Sequence, residues 1–304
     1  MMDKEYLFNN NINFARAAMV DKDYKEALKF YKKAYALPQG KVDIEFLLDM
    51  ALLYDKLGAK YFAEEKYREI LTLDEKEARA YYGLAIIYDE DGFYDEAKEY
   101  YQKAISINPK YDKAYFFLAN VYDEEGDKEK ALENYKKALE INPKDLWTNA
   151  NIGCIYEELG DIEEAYKYMS KAYDIDSNHF RILFNMGVFV GKLGREGEAI
   201  EFYNKSIEKN NQYPYSYLNL AVIYREKGDF NKAIEIINEG IENNPEQGFL
   251  YYNRACFYVN IGRIEDAFND VESSISLNDL FLDYMKKDSE LDAIRSLSIY
   301  KEKY

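Results

Sequence analysis

The sequence predicts an all-α protein built as a solenoid of helical repeats. The chain of 304 residues repeats itself every 34 residues, with a small residue recurring at one position and a glycine at another. A fixed period of this length indicates stacked units that share a continuous hydrophobic core. The small residues are Ala85, Ala119, Gly153, Gly187, Ala221 and Ala255, and the glycines are Gly92, Gly126, Gly160, Gly194, Gly228 and Gly262.

Each unit is predicted to contain two helices, as residues 78–111 illustrate. The two apolar stripes at helical spacing are Tyr81, Leu84, Ala85 and Tyr88, and then Tyr94, Ala97, Tyr101, Ala104 and Ile107. Gly92 separates them, since glycine readily takes the left-handed conformation that closes a helix C-terminus. Pro109 ends the second helix because proline disfavours helix in the residue before it. Ala85 and Ala97 are expected where the paired helices approach closely.

These residues resemble the tetratricopeptide repeat. In one unit the matching residues are Tyr115, Leu118, Ala119, Tyr122, Gly126, Ala131, Tyr135, Ala138 and Pro143. The resemblance implies a right-handed superhelix of helix-turn-helix repeats, whose first helices line a concave groove. The chain is accordingly predicted to be a single solenoid domain over residues 1–304. Its units are expected at about 8–41, 44–77, 78–111, 112–145, 146–179, 180–213, 214–247 and 248–281.

Some positions depart from the repeat pattern. Arg254 stands where the family has leucine, and Ser206 and Ser274 replace alanines. The remaining segment, 282–304, resembles the helix that closes many members of the family. Ser289 is predicted as its N-cap, and its apolar side is expected to cover the last unit.

Composition limits the partners and the location of the protein. The formal net charge of -17 argues against nucleic acid, because phosphates are neutralised by clustered Lys and Arg, and it argues less strongly against anionic membranes. No apolar run is long enough to span a membrane, and residues 1–20 lack the apolar stretch of a signal peptide. Cys154 and Cys256 lie three repeats apart, which indicates a reducing compartment and hence the cytoplasm. The amide-rich, proline-poor composition indicates a bacterial source.

The sequence offers little chemistry for catalysis, and we expect no enzyme activity, cofactor or metal. The one histidine, His179, falls in a predicted turn, where solvation is the simplest interpretation. A zinc site would require this histidine and two distant cysteines. No phosphate-binding glycine motif follows a strand, because no strand is predicted.

An asparagine ladder is the first feature of the expected groove. Asn151, Asn185, Asn219 and Asn253 occupy the sixth position of four consecutive units, and Asn120 lies at the ninth position of the unit before them. Asparagine is unfavourable inside a helix, yet its amide both donates and accepts hydrogen bonds. Such a row suits the backbone of an extended peptide. The alternative is that asparagine is common at this position without binding a ligand.

Aromatic residues and charges supply the other two features. The aromatic residues at groove positions are Tyr82, Phe116, Trp147, Phe184, Tyr215, Phe249 and Tyr252. Core packing explains part of this set, and the rest is interpreted as a partner surface. Trp147, the only tryptophan, is the expected hot spot. Acidic residues such as Glu124 and Glu157 close first helices, which opposes the helix dipole. They are interpreted as a cradle for a basic ligand or, alternatively, as a solvated face. Arg181 and Arg225 reverse the charge further along.

These features predict a protein–protein interaction module that binds an extended peptide or protein segment, including a basic one, in its groove. The alternative is a structural scaffold or self-associating protein that acts through its convex face or its ends. The sequence leaves the oligomeric state and the identity of the partner open.

Overall fold

The computed structural model describes residues 4–303, with side chains described as far as residue 300. The chain divides into two compact units, Met1–Pro143 and Lys144–Tyr304. From here on, first and second unit mean these two parts, and a 34-residue unit is called a repeat. Within residues 4–303 the regular secondary structure is all helical, with turns between the helices and no β-strand. The prediction of an all-α helical-repeat solenoid is confirmed. The prediction of a single domain over residues 1–304 stays a prediction.

The first unit contains four successive helix pairs. A short 3-10 turn, Pro38–Lys41, separates the first pair from the second. The helices are α1 (Lys4–Val20), α2 (Tyr24–Tyr35), α3 (Ile44–Lys56), α4 (Lys60–Leu73), α5 (Ala78–Glu90), α6 (Tyr94–Ile107), α7 (Asp112–Glu124) and α8 (Lys128–Ile141).

The second unit contains four more pairs and a C-terminal segment. The paired helices are α9 (Leu146–Glu158), α10 (Ile162–Ile175), α11 (Phe180–Lys192), α12 (Glu196–Lys209), α13 (Pro214–Glu226), α14 (Phe230–Asn243), α15 (Gly248–Asn260) and α16 (Ile264–Leu277). The C-terminal segment consists of α17 (Leu280–Lys287), the 3-10 turn Ser289–Leu291, α18 (Asp292–Arg295) and α19 (Ser298–Lys303).

Small residues let the two helices of a pair approach closely, as the periodicity predicts. Ala85 and Ala97 are fully buried between α5 and α6. Tyr101 is also fully buried, while its hydroxyl donates to Asp89 on the partner helix at 2.9 Å. Tyrosine therefore serves as a core residue here because a carboxylate meets its polar end.

The departures from the repeat pattern have local explanations. Ser206 is buried, and its hydroxyl lies 2.8 Å from the Phe180 carbonyl oxygen and 2.8 Å from the Ser216 hydroxyl. Arg254 forms a two-point ion pair with the buried Asp270. At each position a polar residue is tolerated because another polar group of the second unit satisfies its hydrogen-bonding capacity.

The segment after the last repeat covers it, but not as one helix. Leu291 and Ile294 are fully buried against the last helices, whereas the chain breaks into three short helices around a 3-10 turn. The residue that caps this turn is Asp288, whose carboxylate accepts from the Glu290 backbone N–H at 2.9 Å. The N-cap predicted at Ser289 was therefore one residue too late.

The turn within each helix pair requires a left-handed residue. The recurring glycines take φ values such as +76° at Gly92 and +82° at Gly126. In the first pair the corresponding residue is Lys22, with φ +59°. A non-glycine residue in this conformation costs about 1 kcal/mol, because its Cβ crowds the backbone.

We expect Lys22→Gly to raise the free energy of unfolding of the first unit by about 0.5–1 kcal/mol, since it removes this strain. Lys25→Gly is the control: Lys25 lies in the first turn of α2, where glycine is unfavourable, and it should destabilise the unit. Urea unfolding followed by circular dichroism measures both. Equal destabilisation by the two variants would contradict the prediction.

Candidate functional site

First helices of neighbouring pairs pack against each other in both units, and we call the side on which they meet the inner surface. In the first unit α5 packs against α7 as well as against its own partner, and in the second unit α13 packs against α15 in the same way. Because first helices approach one another across the intervening second helix, they lie on the inner side of the stack. The predicted site residues lie on these helices.

The asparagine ladder occupies the first helices of the second unit, where its four members are half-buried. Asn219 donates one amide hydrogen to the Tyr215 carbonyl oxygen at 2.9 Å, and Asn253 donates to Phe249 at 2.8 Å. These bonds to the preceding helical turn orient the amides. Neither amide makes another hydrogen bond among the described residues, so each retains a donor and an acceptor for a ligand.

The other ladder members differ in their surroundings. The Asn185 amide lies 3.9 Å from the Cys154 sulfur, which joins α11 to α9 through a weak acceptor. Asn151 is half-buried on α9. Asn120 belongs to the first unit, and its side-chain oxygen accepts the hydroxyl of the buried Tyr135. Asn120 therefore holds a core tyrosine in place, a role that its sequence position did not reveal.

A continuous row of rings runs beside the ladder, and we call it the aromatic track. Its members are Trp147, His179, Phe180, Phe184, Tyr213, Tyr215 and Phe249. Successive ring centroids are about 5 Å apart: 4.9 Å from Trp147 to His179 and 5.3 Å from Tyr215 to Phe249. The track thus crosses α9, α11, α13 and α15 without a gap.

Two members of the track are open to solvent. Trp147 is 39% exposed and Tyr215 is 48% exposed, although both rings are packed against neighbouring rings. A rigid ring that is held from below and exposed above suits contact with another molecule, since little side-chain entropy is lost on binding.

Sequence reasoning missed His179, Phe180 and Tyr213. His179 lies in the turn before α11, as predicted, but it is half-buried rather than fully solvated. Its ring lies between those of Trp147 and Phe180, and its Nδ1 accepts from the Arg181 backbone N–H at 3.3 Å. The sequence did contain a signal, because His179 and Tyr213 are 34 residues apart, each at the last position of its 34-residue repeat. That position precedes the first helix and lies beside its inner face.

The far end of the ladder is already occupied by the chain itself. The Tyr252 hydroxyl donates to Asp288 at 2.8 Å, and its ring stacks on Phe281 with centroids 5.4 Å apart. Arg225 pairs with Glu290 of the same C-terminal segment. The predicted ligand contacts Tyr252 and Arg225 therefore contact this segment, and a ligand there would have to displace it.

Arg181, in contrast, forms no ion pair with another described residue. It lies at the surface, 5.7 Å from the centre of the Phe180 ring. A cation beside the open part of the track would favour an acidic or carbonyl-rich contact at this point of a ligand.

The acidic helix ends have partners within each unit. Glu124 accepts from the Tyr94 hydroxyl at 2.6 Å, and Glu157 pairs with Lys192. The Glu124 contact joins a first helix to the preceding repeat, and the Glu157 contact joins a first helix to the following repeat. These contacts explain carboxylates that oppose the helix dipole. Burial raises the pKa of Asp89, whose contact is the Tyr101 hydroxyl. The hypothesis that these carboxylates form a cradle for a basic ligand therefore does not describe Glu124 and Glu157, because both already have partners in the chain.

The remaining predicted residues, Tyr82 and Phe116, lie in the first unit. The Tyr82 ring contacts Tyr111 at 4.9 Å and borders a cleft between α3 and α5. The Phe116 ring packs on Tyr135 at 5.7 Å. Phe116 thus contributes to packing around the same core tyrosine as Asn120.

The described side chains contain no group of three or more His, Cys, Asp or Glu residues that could hold a metal ion. Cys154 and Cys256 are not joined in a disulfide. Burial raises the pKa of the Cys256 thiol to about 12, so that thiol stays protonated and unreactive at neutral pH. None of the described helices has the length and apolar character needed to cross a membrane.

Comparison with protein families gives repeated matches along the chain. Models described as tetratricopeptide repeat match residues 76–144, 148–179, 180–213 and 202–235. A model described as Sel1 repeat matches residues 15–38. No curated protein matches the sequence.

Solved structures of similar fold are numerous. A tetratricopeptide repeat protein from Parabacteroides merdae has 20% identity and a TM-score of 0.63, covering 80% of this chain and 97% of its own. YrrB, described as having an unusual peptide-binding site, has 21% identity and a TM-score of 0.52, covering 60% and 94%. One MamA structure is 31% identical, with a TM-score of 0.48 and coverage of 54% and 94%. The first two likenesses concern the fold alone.

Proposed function

We propose that this chain, a member of the tetratricopeptide repeat family, binds an extended segment of a partner protein on the inner surface of its second unit. The family membership makes the chain a protein-interaction module. The observation that carries the proposal is the asparagine ladder beside the partly exposed aromatic track. The two features run along the same four first helices, each of which carries one ladder asparagine and at least one ring of the track.

The two features are proposed to contact different parts of the bound segment, the ladder its backbone and the track its side chains. The amide of Asn219 retains a donor and an acceptor, which match the N–H and C=O groups of an extended backbone. The exposed rings of Trp147 and Tyr215 offer apolar contact area for side chains of the segment. A backbone-directed ladder with side-chain contacts beside it binds extended segments of varied sequence and selects among them by their apolar residues.

The segment is proposed to bind between Trp147 and Tyr215 rather than along the whole ladder. Beyond this stretch the C-terminal residues Asp288 and Glu290 hold Tyr252 and Arg225. YrrB has a peptide-binding site in a protein of the same fold, which is compatible with this use of the repeat. We infer a binding role and no catalytic one, in the cytoplasm.

The ladder can be tested with a peptide selected from a displayed random library on the full chain. For a peptide that binds this surface, Asn185→Ala combined with Asn219→Ala should weaken binding by about 1–3 kcal/mol, because hydrogen bonds that the peptide covers are lost. Calorimetry measures the affinity.

The matched control is Asn204→Ala. Asn204 makes the same bond to the preceding turn, to Ile200 at 2.9 Å, but lies exposed on the second helix α12. It should change affinity by less than twofold. If the ladder variant binds the peptide as tightly as the unaltered chain, while competition shows that the peptide contacts this surface, the ladder has no role.

Self-association is a second candidate, favoured by exposed rings on α4. Tyr61 is 73% exposed and Phe62 48% exposed, with ring centroids 5.4 Å apart. Two adjoining exposed rings form an apolar patch of the kind found at interfaces. Light scattering at several concentrations distinguishes the two functions: a dimer that Tyr61→Ser converts to a monomer would favour self-association.

A further inference from the structure

The first unit carries a cleft that the peptide surface of the second unit does not use. It has a volume of about 480 Å³ and opens between α3, α5 and the start of α7. Its apolar lining includes Leu48, Leu52 and Ile86, of which Leu52 is 50% exposed at the inner surface. A cleft of this size holds one long side chain of a partner.

Aromatic rings form one side of the cleft. The ring of Tyr82 lies 4.9 Å from that of Tyr111 and 6.1 Å from that of Phe117, measured between centroids. Ring faces attract cations through the negative potential above the ring plane, most strongly where water is excluded. This wall therefore favours a positively charged guest over an anionic one.

A carboxylate lies at the other side with little compensation. Asp55 accepts one hydrogen bond, from the Tyr67 hydroxyl at 3.2 Å, and burial raises its pKa. The bond depends on Gly83, because a Cβ there would lie 2.2 Å from the Tyr67 ring. The cleft thus contains a half-buried carboxylate that no cation neutralises directly.

The remaining charges around the cleft leave an excess of negative charge. Arg79 is shared between Glu45, at 2.6 Å, and Glu77, at 2.7 Å. Arg16 pairs with Asp49 at 2.7 Å. Together with Asp55, four carboxylates face two guanidinium groups. Nearby Lys60 does not correct the excess, because it pairs with Glu90 and Asp91.

We propose that this cleft binds the side chain of one arginine or lysine of a basic partner segment, with the aliphatic stem on Leu48, Leu52 and Ile86 and the cationic head between Asp55 and the tyrosine rings. Charge complementarity identifies the guest, and the apolar lining accounts for a long stem rather than a small ion. The inference rests on the proposed function in that the guest belongs to a protein segment. It concerns a different unit and different residues.

The probe is fluorescein-labelled hexa-arginine, with hexa-citrulline as its neutral counterpart, titrated with the full chain at about 0.1 M salt. Hexa-arginine should bind and hexa-citrulline should not. Asp55→Asn should weaken hexa-arginine binding at least about fivefold, and its amide oxygen still accepts from Tyr67, so the fold is retained. Leu52→Trp, at an exposed position, should also weaken binding because the indole fills the cleft.

Glu133→Gln is the matched control, since it removes one carboxylate from an exposed position of α8 in the same unit. It should change the affinity less than twofold. Equal weakening by Asp55→Asn and Glu133→Gln would show diffuse attraction to an acidic protein and overturn the proposal, as would equal binding of hexa-citrulline. An unchanged affinity in both cleft variants would overturn it too.

The two proposals fail separately. The ladder variant Asn185→Ala with Asn219→Ala leaves hexa-arginine binding unchanged if the cleft is the site of the cation. A ladder variant that abolishes hexa-arginine binding while Asp55→Asn has no effect would move the basic segment to the second unit. That outcome overturns the cleft and leaves the proposed function intact.

Discussion

Asp270→Ala should lower the free energy of unfolding of the second unit by about 3–5 kcal/mol, the largest stability effect we expect from one substitution. Arg254 reaches Asp270 with two hydrogen bonds, of 2.6 and 2.7 Å, and a third to Asn238 at 2.7 Å. The two charged side chains are only 17% and 8% exposed. Removing the carboxylate therefore leaves a guanidinium with little access to water.

A comparison within the same helix pair separates burial from charge. Asp266 pairs with Arg263 at 2.7 Å, but both side chains are about half exposed. Asp266→Ala should cost less than about 1 kcal/mol, because exposed ion pairs contribute little. Adding Arg254→Leu to Asp270→Ala should recover much of the loss, since it removes the stranded charge. Chemical unfolding measures all three, and a cost below 1 kcal/mol for Asp270→Ala would contradict the prediction.

Trp147→Ala should weaken a peptide bound on the second unit by about 2–4 kcal/mol, the largest affinity effect we expect. The indole is 39% exposed and rests edge-on against His179 with centroids 4.9 Å apart. Because the track already holds the indole in place, little side-chain entropy is lost when a ligand binds to it.

The same side chain gives an independent readout. Trp147 is the only tryptophan, so its fluorescence reports directly on this surface and should shift to shorter wavelength when a ligand excludes water. Phe93→Ala is the control, since Phe93 is 54% exposed on the first unit and lies outside the track. Binding that neither shifts the emission nor depends on Trp147 would mean that the ligand lies elsewhere.

The fold could be predicted from the sequence because its determinants are local and periodic. Gly92 and Ala97 each specify a feature of one helix pair, a left-handed turn and a close helix contact, and the period repeats both. The helix pairs follow from these signals without knowledge of any distant residue. The exception at Lys22 was visible only in the backbone, where a lysine takes the glycine conformation.

The candidate site was predicted less completely, since its properties arise between repeats. The ladder and Trp147 follow from register, whereas the track also needs His179 and Tyr213, which precede their helices. The cleft could not be predicted, because it depends on the hydrogen bond from Tyr67 to Asp55, which is possible only where Gly83 leaves room for the Tyr67 ring. Which side chains are open to a ligand stays a prediction for the binding experiments.

The sequence by itself determined the all-α repeat, the register of its helices and the positions that share an inner face, because helical period and turn chemistry act within 34 residues. Only the tertiary structure decided which of those positions are already engaged. Tyr252 and Arg225 contact the C-terminal segment, and Glu124 contacts a tyrosine of another helix. Such contacts arise when helices stack, since side chains distant in sequence then come within hydrogen-bond distance.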